Sequence, residues 1–214
     1  MGLFFKKGKT EEQKPAVAEM PSLFMNDDSE GNFGKETMLD YHLSYLLRLV
    51  NNYESGDEIS RRTIMKLLGK KVRLDHWGYV DSNDLNNVKV KVWKQWQHID
   101  LIVEVEANFA TDTEKHIIVI EDKAYTGLHD DQLNRYAQIV EDWYKGQNVQ
   151  IHYWVITFFE NDTKEFDSIV NLCNKATSDW KCLSFNDVID LTDEERELGT
   201  GNEILDEFWV KKWF

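Results

Sequence analysis

Cysteine and proline are scarce in this chain of 214 residues, which contains only two of each. Cys173 and Cys182 match no zinc-binding or redox spacing, so two reduced thiols are expected and a disulfide-rich secreted fold is excluded. No apolar run approaches the roughly 20 residues of a membrane-spanning helix, and the N-terminus lacks the apolar region of a secretory signal. We therefore expect a cytoplasmic protein that does not enter a membrane.

Positive charge is also in short supply, because the formal net charge is −14. The charges are unevenly distributed along the chain. Residues 187–207 contain nine acidic residues and one basic residue, whereas residues 60–95 contain nine basic residues and three acidic ones. Each run is typical of a solvated face, and each is also a candidate contact surface for a partner of opposite charge.

Apolar and aromatic residues are plentiful enough for a substantial core. Hydrophobic residues make up 42% of the chain, with 8 Trp, 8 Tyr and 11 Phe, which excludes global disorder. Residues 1–30 contain both prolines and show no lasting periodicity, so a flexible tail is predicted there. The length suits one domain. We predict its core over residues 31–160 and a helical extension over residues 161–214 that packs on it.

Hydrophobic periodicity predicts the order of the elements. The apolar stripe of the first helix consists of Met38, Leu39, Leu43, Leu46, Leu47 and Val50. Helices are predicted over residues 35–51, 57–68 and 130–145 and near 186–197 and 203–214. Strands are predicted over residues 72–78, 88–92, 98–106, 115–122, 149–159 and 180–185. Early antiparallel strands followed by a strand–helix–strand unit indicate an α/β domain with a central mixed β-sheet flanked by helices.

Charged residues interrupt the two most apolar strands. Asp100 lies in the strand at 98–106, and Glu121, Asp122 and Lys123 end the strand at 115–122. Alternation along a strand puts Glu121 and Lys123 on one face and Asp122 on the other. If the two strands pair as a hairpin, Asp100 lies beside Glu121. Two such carboxylates repel each other unless a cation joins them, and Mg²⁺ or Mn²⁺ is the oxygen-seeking ion that suits them.

An acid on one strand followed by (D/E)-X-K on the next resembles the PD-(D/E)XK nuclease superfamily. Asp100 and the sequence Glu121-Asp122-Lys123 carry this resemblance. It implies a restriction-endonuclease-like core, with Asp100 and Glu121 as metal ligands and Lys123 orienting the attacking water. The backbone carbonyl of Asp122 is implied as a further ligand.

Two predicted helices outside these strands extend the resemblance, which then covers residues 35–159. Gln132 and Tyr136 stand at i and i+4 on the predicted helix at 130–145 and look like the QxxxY motif of the RecB-like branch. The motif implies that both residues support the catalytic site. Glu36, in the first helix, matches the position where many members place another acid near the metal.

Structural alternatives for these residues stay open at the level of sequence. Asp100 could be a strand-edge acid paired with a lysine, and Tyr136 could be a core aromatic residue. Glu36 could simply favour the N-terminus of its helix through the helix dipole.

The resemblance implies metal-dependent hydrolysis of phosphodiester bonds, with DNA as the expected substrate and Mg²⁺ or Mn²⁺ as the cofactor. The basic segment from Arg61 to Lys94 is the predicted contact for the nucleic-acid backbone. The alternative is a catalytically silent binding or regulatory protein of the same fold. Its acidic segment at 187–207 would engage a protein partner or a second copy of the chain. A metal-dependent enzyme acting on another substrate is a third hypothesis.

Overall fold

A central β-sheet organises the chain. The structure, a computed structural model, describes residues 35–51, 57–70, 72–75, 78–81, 85–109, 112–123, 128 and 131–211. The strands are β1 (Val72–Asp75), β2 (Gly78–Asp81), β3 (Leu85–Trp96), β4 (Ile99–Phe109), β5 (Thr113–Lys123), β6 (Gln150–Thr157) and β7 (Trp180–Ser184). The helices are α1 (Lys35–Arg48), α2 (Asp57–Leu67), α3 (Gln132–Tyr144), α4 (Lys164–Lys175), α5 (Phe185–Val188), α6 (Asp193–Leu198) and α7 (Glu203–Leu205). A 3-10 turn (Leu49–Asn51) follows α1, and a π-helical turn (Asp206–Val210) follows α7.

The main sheet is mixed and has five strands in the order β3-β4-β5-β6-β7. The β3–β4 and β4–β5 pairs are antiparallel, whereas β6 and β7 are added in parallel. Helix α3 connects β5 to β6, and α4 connects β6 to β7, as parallel neighbours require. The β1–β2 hairpin forms a separate two-stranded sheet. The predicted α/β class and the parallel return after the antiparallel strands are confirmed.

Both faces of the sheet are covered by helices. One hydrophobic cluster joins α1, α2 and the C-terminal turns to residues such as Ile118 and Ile120 of β5. The other joins α3 and α4 to Ile117 and Val119 of the same strand. Strand β5 is therefore buried on both faces, which explains why its sequence is a continuous apolar run.

Five of the six residues in the predicted apolar stripe of the first helix are buried: Leu39, Leu43, Leu46, Leu47 and Val50. Met38 was expected in that stripe, but its side chain is 52% exposed. Asp40 is only 2% exposed and points into the protein. The rest of the helix is buried almost all round from Leu39 to Leu47. Because nearly every face of α1 is buried, its hydrophobic periodicity does not fix its orientation.

A side chain protects the outer edge of the sheet at β3. The Asn51 side chain donates from Nδ2 to the Val90 carbonyl at 3.0 Å and accepts from the Val90 amide at 3.0 Å. The amide group therefore takes the place of a neighbouring strand at that position. Lys89 and Lys91 are exposed on the same strand. The Asn51 contact and these two charges disfavour pairing of the edge strand with another chain.

Residues 161–214 contribute to the sheet as well as to the helical layers. Strand β7 pairs with β6 over five residue pairs, from Tyr153 with Trp180 to Thr157 with Ser184. The division into 1–30, 31–160 and 161–214 stays a prediction, and residues 1–30 lie outside the described residues. Among the residues described, none of the helices combines the length and the apolar character needed to cross a membrane.

Candidate metal centre

One end of the sheet brings together the charged residues of β4 and β5. The two strands pair as an antiparallel hairpin, as predicted, and Leu101 lies opposite Ile120. The next position toward this end places Asp100 beside Glu121. Strand β4 begins and β5 ends here, so the side chains of Asp100, Glu121 and Lys123 gather where the pairing between these two strands stops.

Glu121 and Lys123 lie on the face that α3 covers. Oε1 of Glu121 is 2.5 Å from Nζ of Lys123 and accepts a hydrogen bond from Nε2 of Gln132 at 2.5 Å. Nε2 of Gln132 is also 3.2 Å from the Tyr136 hydroxyl. The hydroxyl itself donates to the His98 carbonyl at 2.7 Å. The residues of the QxxxY pattern thus connect the first turns of α3 to both strands of the site.

Asp100 is held by two donors. Its Oδ1 accepts from Nε2 of Gln95 at 2.9 Å, and its Oδ2 accepts from the Asp122 backbone amide at 2.9 Å. Gln95 belongs to the β3–β4 hairpin, where Gln95, Gln97 and His98 all have positive φ angles of 54° to 66°. Non-glycine residues rarely adopt this conformation. The hairpin therefore combines local backbone strain with contacts to Asp100 and, through His98, to Tyr136.

Asp122 points to the opposite face, toward α1. One carboxylate oxygen from each of Asp40, Asp100 and Asp122 can be chosen so that all three lie within 4.8 Å of one another. Asp40 is also 3.4 Å from Nζ of Lys94, and both side chains of this ion pair are almost fully buried. Asp100 is thus the common neighbour of Glu121 on one face and of Asp122 and Asp40 on the other. We call Asp40, Asp100, Glu121 and Asp122 the carboxylate cluster.

Burial and mutual repulsion raise the pKa values of three acids of the carboxylate cluster, Asp40, Glu121 and Asp122. Desolvation, followed by the charge of Asp100, raises the pKa of Asp40 to about 8 and that of Glu121 to about 9. Desolvation and the charges of Asp100 and Asp40 raise the pKa of Asp122 well above its usual value. Lys94 and Lys123 oppose these shifts at Asp40 and Glu121 without cancelling them.

The cluster fits a divalent cation. Oδ1 of Asp40, Oε2 of Glu121 and Oδ2 of Asp122 are buried and have no hydrogen-bond partner within the described part of the chain. Four carboxylates face the ammonium groups of Lys94 and Lys123, so the cluster carries a formal excess of two negative charges. Hard oxygen ligands with that excess suit Mg²⁺ or Mn²⁺. Unsatisfied buried oxygens of this kind are otherwise costly.

The structure places most of the predicted site residues at one end of the sheet. It brings together Asp100, Glu121, Asp122, Lys123, Gln132 and Tyr136. Asp122 enters the cluster with its side chain, whereas its backbone carbonyl was the expected ligand atom. The side chain of Glu36 lies outside the described residues. Asp40, one helical turn after Glu36, was missed, and the only sequence signal for it is that i and i+4 share a face.

The basic segment expected to contact nucleic acid is largely engaged within the chain. Arg62 is 3% exposed and pairs with Glu195, and Nε of Arg62 donates to the Asp190 carbonyl at 3.0 Å. Lys66 donates to the Asp187 carbonyl, and Lys70 is 2.6 Å from Glu114. Arginine and lysine side chains held in this way are poorly placed to bind phosphates.

The same contacts account for part of the acidic segment at 187–207. Glu195 closes a capping box with Thr192 at the start of α6 while it pairs with Arg62. The Asp190 amide is also bound by the Thr63 hydroxyl at 3.2 Å. The acidic segment therefore packs on α2 of its own chain, which explains how opposite charge runs coexist in one molecule.

The fold is a mixed β-sheet flanked by helices. The site has an acid on one strand and E-x-K on its neighbour, at the end of the sheet that the QxxxY helix covers. Together these features define a class of protein. A family model described as the PD-(D/E)XK nuclease superfamily matches residues 4–210. The chain belongs to this superfamily, and its restriction-endonuclease-like fold is confirmed. None of the curated proteins matches the chain, and none of the solved structures matches it.

Membership has general consequences for function. Members of the superfamily are generally nucleases, which favours nucleic acid as a partner, and they usually use divalent metals. The cluster of acids at the sheet end agrees with the metal requirement. Assignment to the RecB-like branch stays a prediction that rests on Gln132 and Tyr136.

Proposed function

We propose that the protein is a divalent-metal-dependent nuclease that hydrolyses phosphodiester bonds, with DNA as the expected substrate. One observation carries the proposal: three buried carboxylates of a four-acid cluster each keep an unsatisfied oxygen beside the buried pair of Lys123 and Glu121. Because burial and mutual repulsion raise the pKa of these acids, they stay ionised together near neutral pH only when a cation joins them.

Asp100 and Glu121 are the proposed principal ligands. Asp122 and Asp40 lie on the opposite, α1-facing side of β5, where one oxygen from each of them and one from Asp100 lie within 4.8 Å of one another. A divalent ion bound there supplies Lewis-acid activation of water and charge neutralisation at the phosphate. The chain's own contribution is to fix the ligands in advance. Gln95 and the Asp122 amide hold the two oxygens of Asp100, and Gln132 holds one oxygen of Glu121.

Lys123 is the proposed catalytic cation. Its ammonium group lies 2.5 Å from Glu121 and is about one-tenth exposed, so it is close to both the ligands and the solvent side of the cluster. An ammonium group in this place orients the attacking water and stabilises negative charge that develops on the phosphate oxygens.

Gln132 and Tyr136 are proposed positioning residues. Gln132 fixes the side chain of Glu121, and Tyr136 fixes the hairpin through the His98 carbonyl. Loss of either contact would let a ligand-bearing strand shift, and shifts of about 1 Å are enough to reduce turnover strongly.

The catalytically silent alternative is less favoured by the same contacts. Its acidic surface was expected to engage a protein partner, yet Glu195 and the backbone of Asp187 and Asp190 are bound by α2. The other acids of that segment leave a protein-binding role open to test.

The test is cleavage of single- and double-stranded DNA and RNA with Mg²⁺, with Mn²⁺ and with EDTA. We expect cleavage of at least one substrate that EDTA abolishes, and a loss on the order of 100-fold or more in Glu121→Gln and Lys123→Met. Glu194→Gln is the matched control, because it removes the same charge from an exposed position on α6. Wild-type protein that cleaves none of the substrates under any metal condition would contradict the proposal.

A further inference from the structure

The cleft along α4 is the feature that the proposed site does not use. It has a volume of about 420 Å³ and is lined by Lys164, Asp167, Ser168, Asn171, Leu172 and Lys175. A smaller pocket of about 120 Å³ adjoins it, because Leu172 and Lys175 line both. Gln132 lines the smaller pocket too, and its Nε2 binds Glu121. The smaller pocket is therefore next to the carboxylate cluster through Gln132, and the cleft continues from it along α4.

The polar residues of the cleft form one stripe of the helix. Lys164, Ser168, Asn171 and Lys175 follow one another at spacings of three and four residues, so they share a face of α4. All four are exposed. The two lysines are about 16 Å apart along the helix axis at about 1.5 Å per residue. Within the described part of the chain neither lysine has an ion-pair partner, in contrast to Arg62 and Lys70.

The smaller pocket has apolar walls. Leu128, Leu133, Leu172 and Ala176 line it, and Asp131 and Lys175 stand among its polar lining. At about 120 Å³ it is the smaller of the two cavities, and its mixed apolar and polar lining suits the face and the edges of one flat ring system. Leu172 is 37% exposed, which is unusual for a leucine with no packing role at a helix surface.

Side-chain contacts hold this pocket open beside the start of α3. Oδ1 of Asn134 accepts from the Thr177 amide at 2.7 Å, and its Nδ2 donates to Asp131 at 2.8 Å. The segment after α4 is thereby tied to the first turn of α3. The pocket is consequently a built feature between two fixed elements, and it keeps its position relative to Gln132.

We propose that the α4 cleft binds one strand of the nucleic acid, with phosphates along Lys164, Ser168, Asn171 and Lys175, and that the adjoining pocket takes an unpaired base. This inference rests on the proposed function and names its substrate as a strand that is single-stranded next to the cleavage site. Two exposed lysines without an ion-pair partner in the described part of the chain favour this occupant, as does Gln132, which lines the smaller pocket and binds Glu121. Asp167, which also lines the cleft, limits how close a phosphate comes to the N-terminal turn of the helix.

The experiment measures fluorescence anisotropy of a labelled single-stranded DNA and its duplex, with Ca²⁺ in place of Mg²⁺ to suppress cleavage. The test variant is Lys164→Ala/Lys175→Ala. The matched control is Lys145→Ala/Lys211→Ala, which removes two exposed lysines outside both the cleft and the basic segment at 61–94. Leu172→Gln tests the base pocket separately.

We expect tighter binding of the single strand than of the duplex. The test variant should weaken it roughly tenfold and lower the slope of log K against log salt by about 1.4, or about 0.7 for each phosphate contact. Leu172→Gln should weaken binding roughly threefold without changing that slope, because it removes an apolar and not an ionic contact. The control pair should retain wild-type affinity and slope.

Unchanged affinity and slope in the test variant overturn the proposal, as does an equal loss in the control pair. Tighter binding of the duplex overturns the base pocket. If wild-type protein cleaves DNA while the test variant binds and cleaves like wild type, only the cleft assignment fails. If wild-type protein neither binds nor cleaves nucleic acid, the proposed function fails with it.

Discussion

A polar cluster lies near each end of strand β5, and the two clusters differ in how fully their hydrogen bonds are satisfied. At the N-terminal end, Lys70, Glu114, His116 and His152 form what we call the histidine cluster. Glu114 is 2.6 Å from Lys70 and 2.9 Å from Nε2 of His116, whose Nδ1 is 3.1 Å from Nε2 of His152. At the C-terminal end lies the carboxylate cluster, with three unsatisfied buried oxygens.

The donors and acceptors of the hydrogen bonds in the histidine cluster can be assigned consistently. Because the Glu114 carboxylate can only accept, Nε2 of His116 donates to it, and Nδ1 of His116 then accepts from His152. One ammonium group balances one carboxylate. The carboxylate cluster instead has four acids against two lysines. The comparison teaches that the satisfied cluster supports the fold, whereas the unbalanced one is built for a ligand that the chain does not supply.

The largest expected difference concerns cleavage. Asp100→Asn should lower Mg²⁺-dependent cleavage by on the order of 1000-fold, because Asp100 touches every other acid of the carboxylate cluster. His152→Gln should leave the rate within about twofold of wild type, since it alters only the histidine cluster. Initial rates at saturating Mg²⁺ check both values, with circular dichroism confirming that each variant is folded. Equal losses in the two variants would erase the distinction between the clusters.

The second difference concerns stabilisation by metal. Mg²⁺ at about 100 times its dissociation constant should stabilise the wild-type fold by about 2.7 kcal/mol. That corresponds to a rise in Tm of about 5–10 °C for a domain of this size. His152→Gln should keep this shift and Asp100→Asn should lose it, as measured by thermal melts with Mg²⁺ or EDTA. A shift of the same size in Asp100→Asn would place the ion elsewhere.

A smaller difference in metal affinity distinguishes the two candidate acids of α1, Asp40 and Glu36. Asp40→Asn should weaken Mn²⁺ binding by about tenfold, because it removes a carboxylate within 4.8 Å of Asp100 and Asp122. Glu36→Gln is the comparison variant on the same helix. If Glu36→Gln weakens binding more than Asp40→Asn, then Glu36 is the additional acid near the metal.

The smallest effect is the pH dependence of the histidine cluster. Burial lowers the pKa of His116, and burial with the nearby charge of His116 lowers the pKa of His152 to about 4. Both histidines are therefore neutral in the folded state, and their contribution is complete above the unfolded value of about 6.5 and is lost as pH falls below it. The raised pKa values of the carboxylate cluster act in the opposite direction, so the histidine contribution is measured as a difference between two proteins. Urea unfolding should show that wild type loses stability relative to His152→Gln, by on the order of 1 kcal/mol, between pH 7 and pH 5. An unchanged pH dependence in that variant would contradict the assignment.

The fold was largely accessible from sequence because β4 and β5 are long, apolar and interrupted by charge at one place each. Asp100 and Glu121 could be placed beside each other from strand alternation and a hairpin alone. Family resemblance then added Gln132 and Tyr136, which the structure brings into contact with Glu121 and the β3–β4 hairpin.

Asp40 and Arg62 show what local patterns leave undetermined. Asp40 is buried because Lys94, on a distant strand, lies against it, whereas Met38, two residues earlier on α1, is exposed. Arg62 looked like a phosphate ligand because its partner Glu195 is far along the chain. Both outcomes depend on tertiary partners, which the periodicity of a single helix does not encode.

The most direct test of the central claim is calorimetric titration of Mn²⁺ into metal-free wild-type protein, Asp100→Asn and His152→Gln at one pH. The account predicts saturable binding to wild-type protein and to His152→Gln, with binding lost in Asp100→Asn. Absence of Mn²⁺ binding in wild-type protein, or undiminished binding in Asp100→Asn, would contradict the claim that the carboxylate cluster is a metal centre.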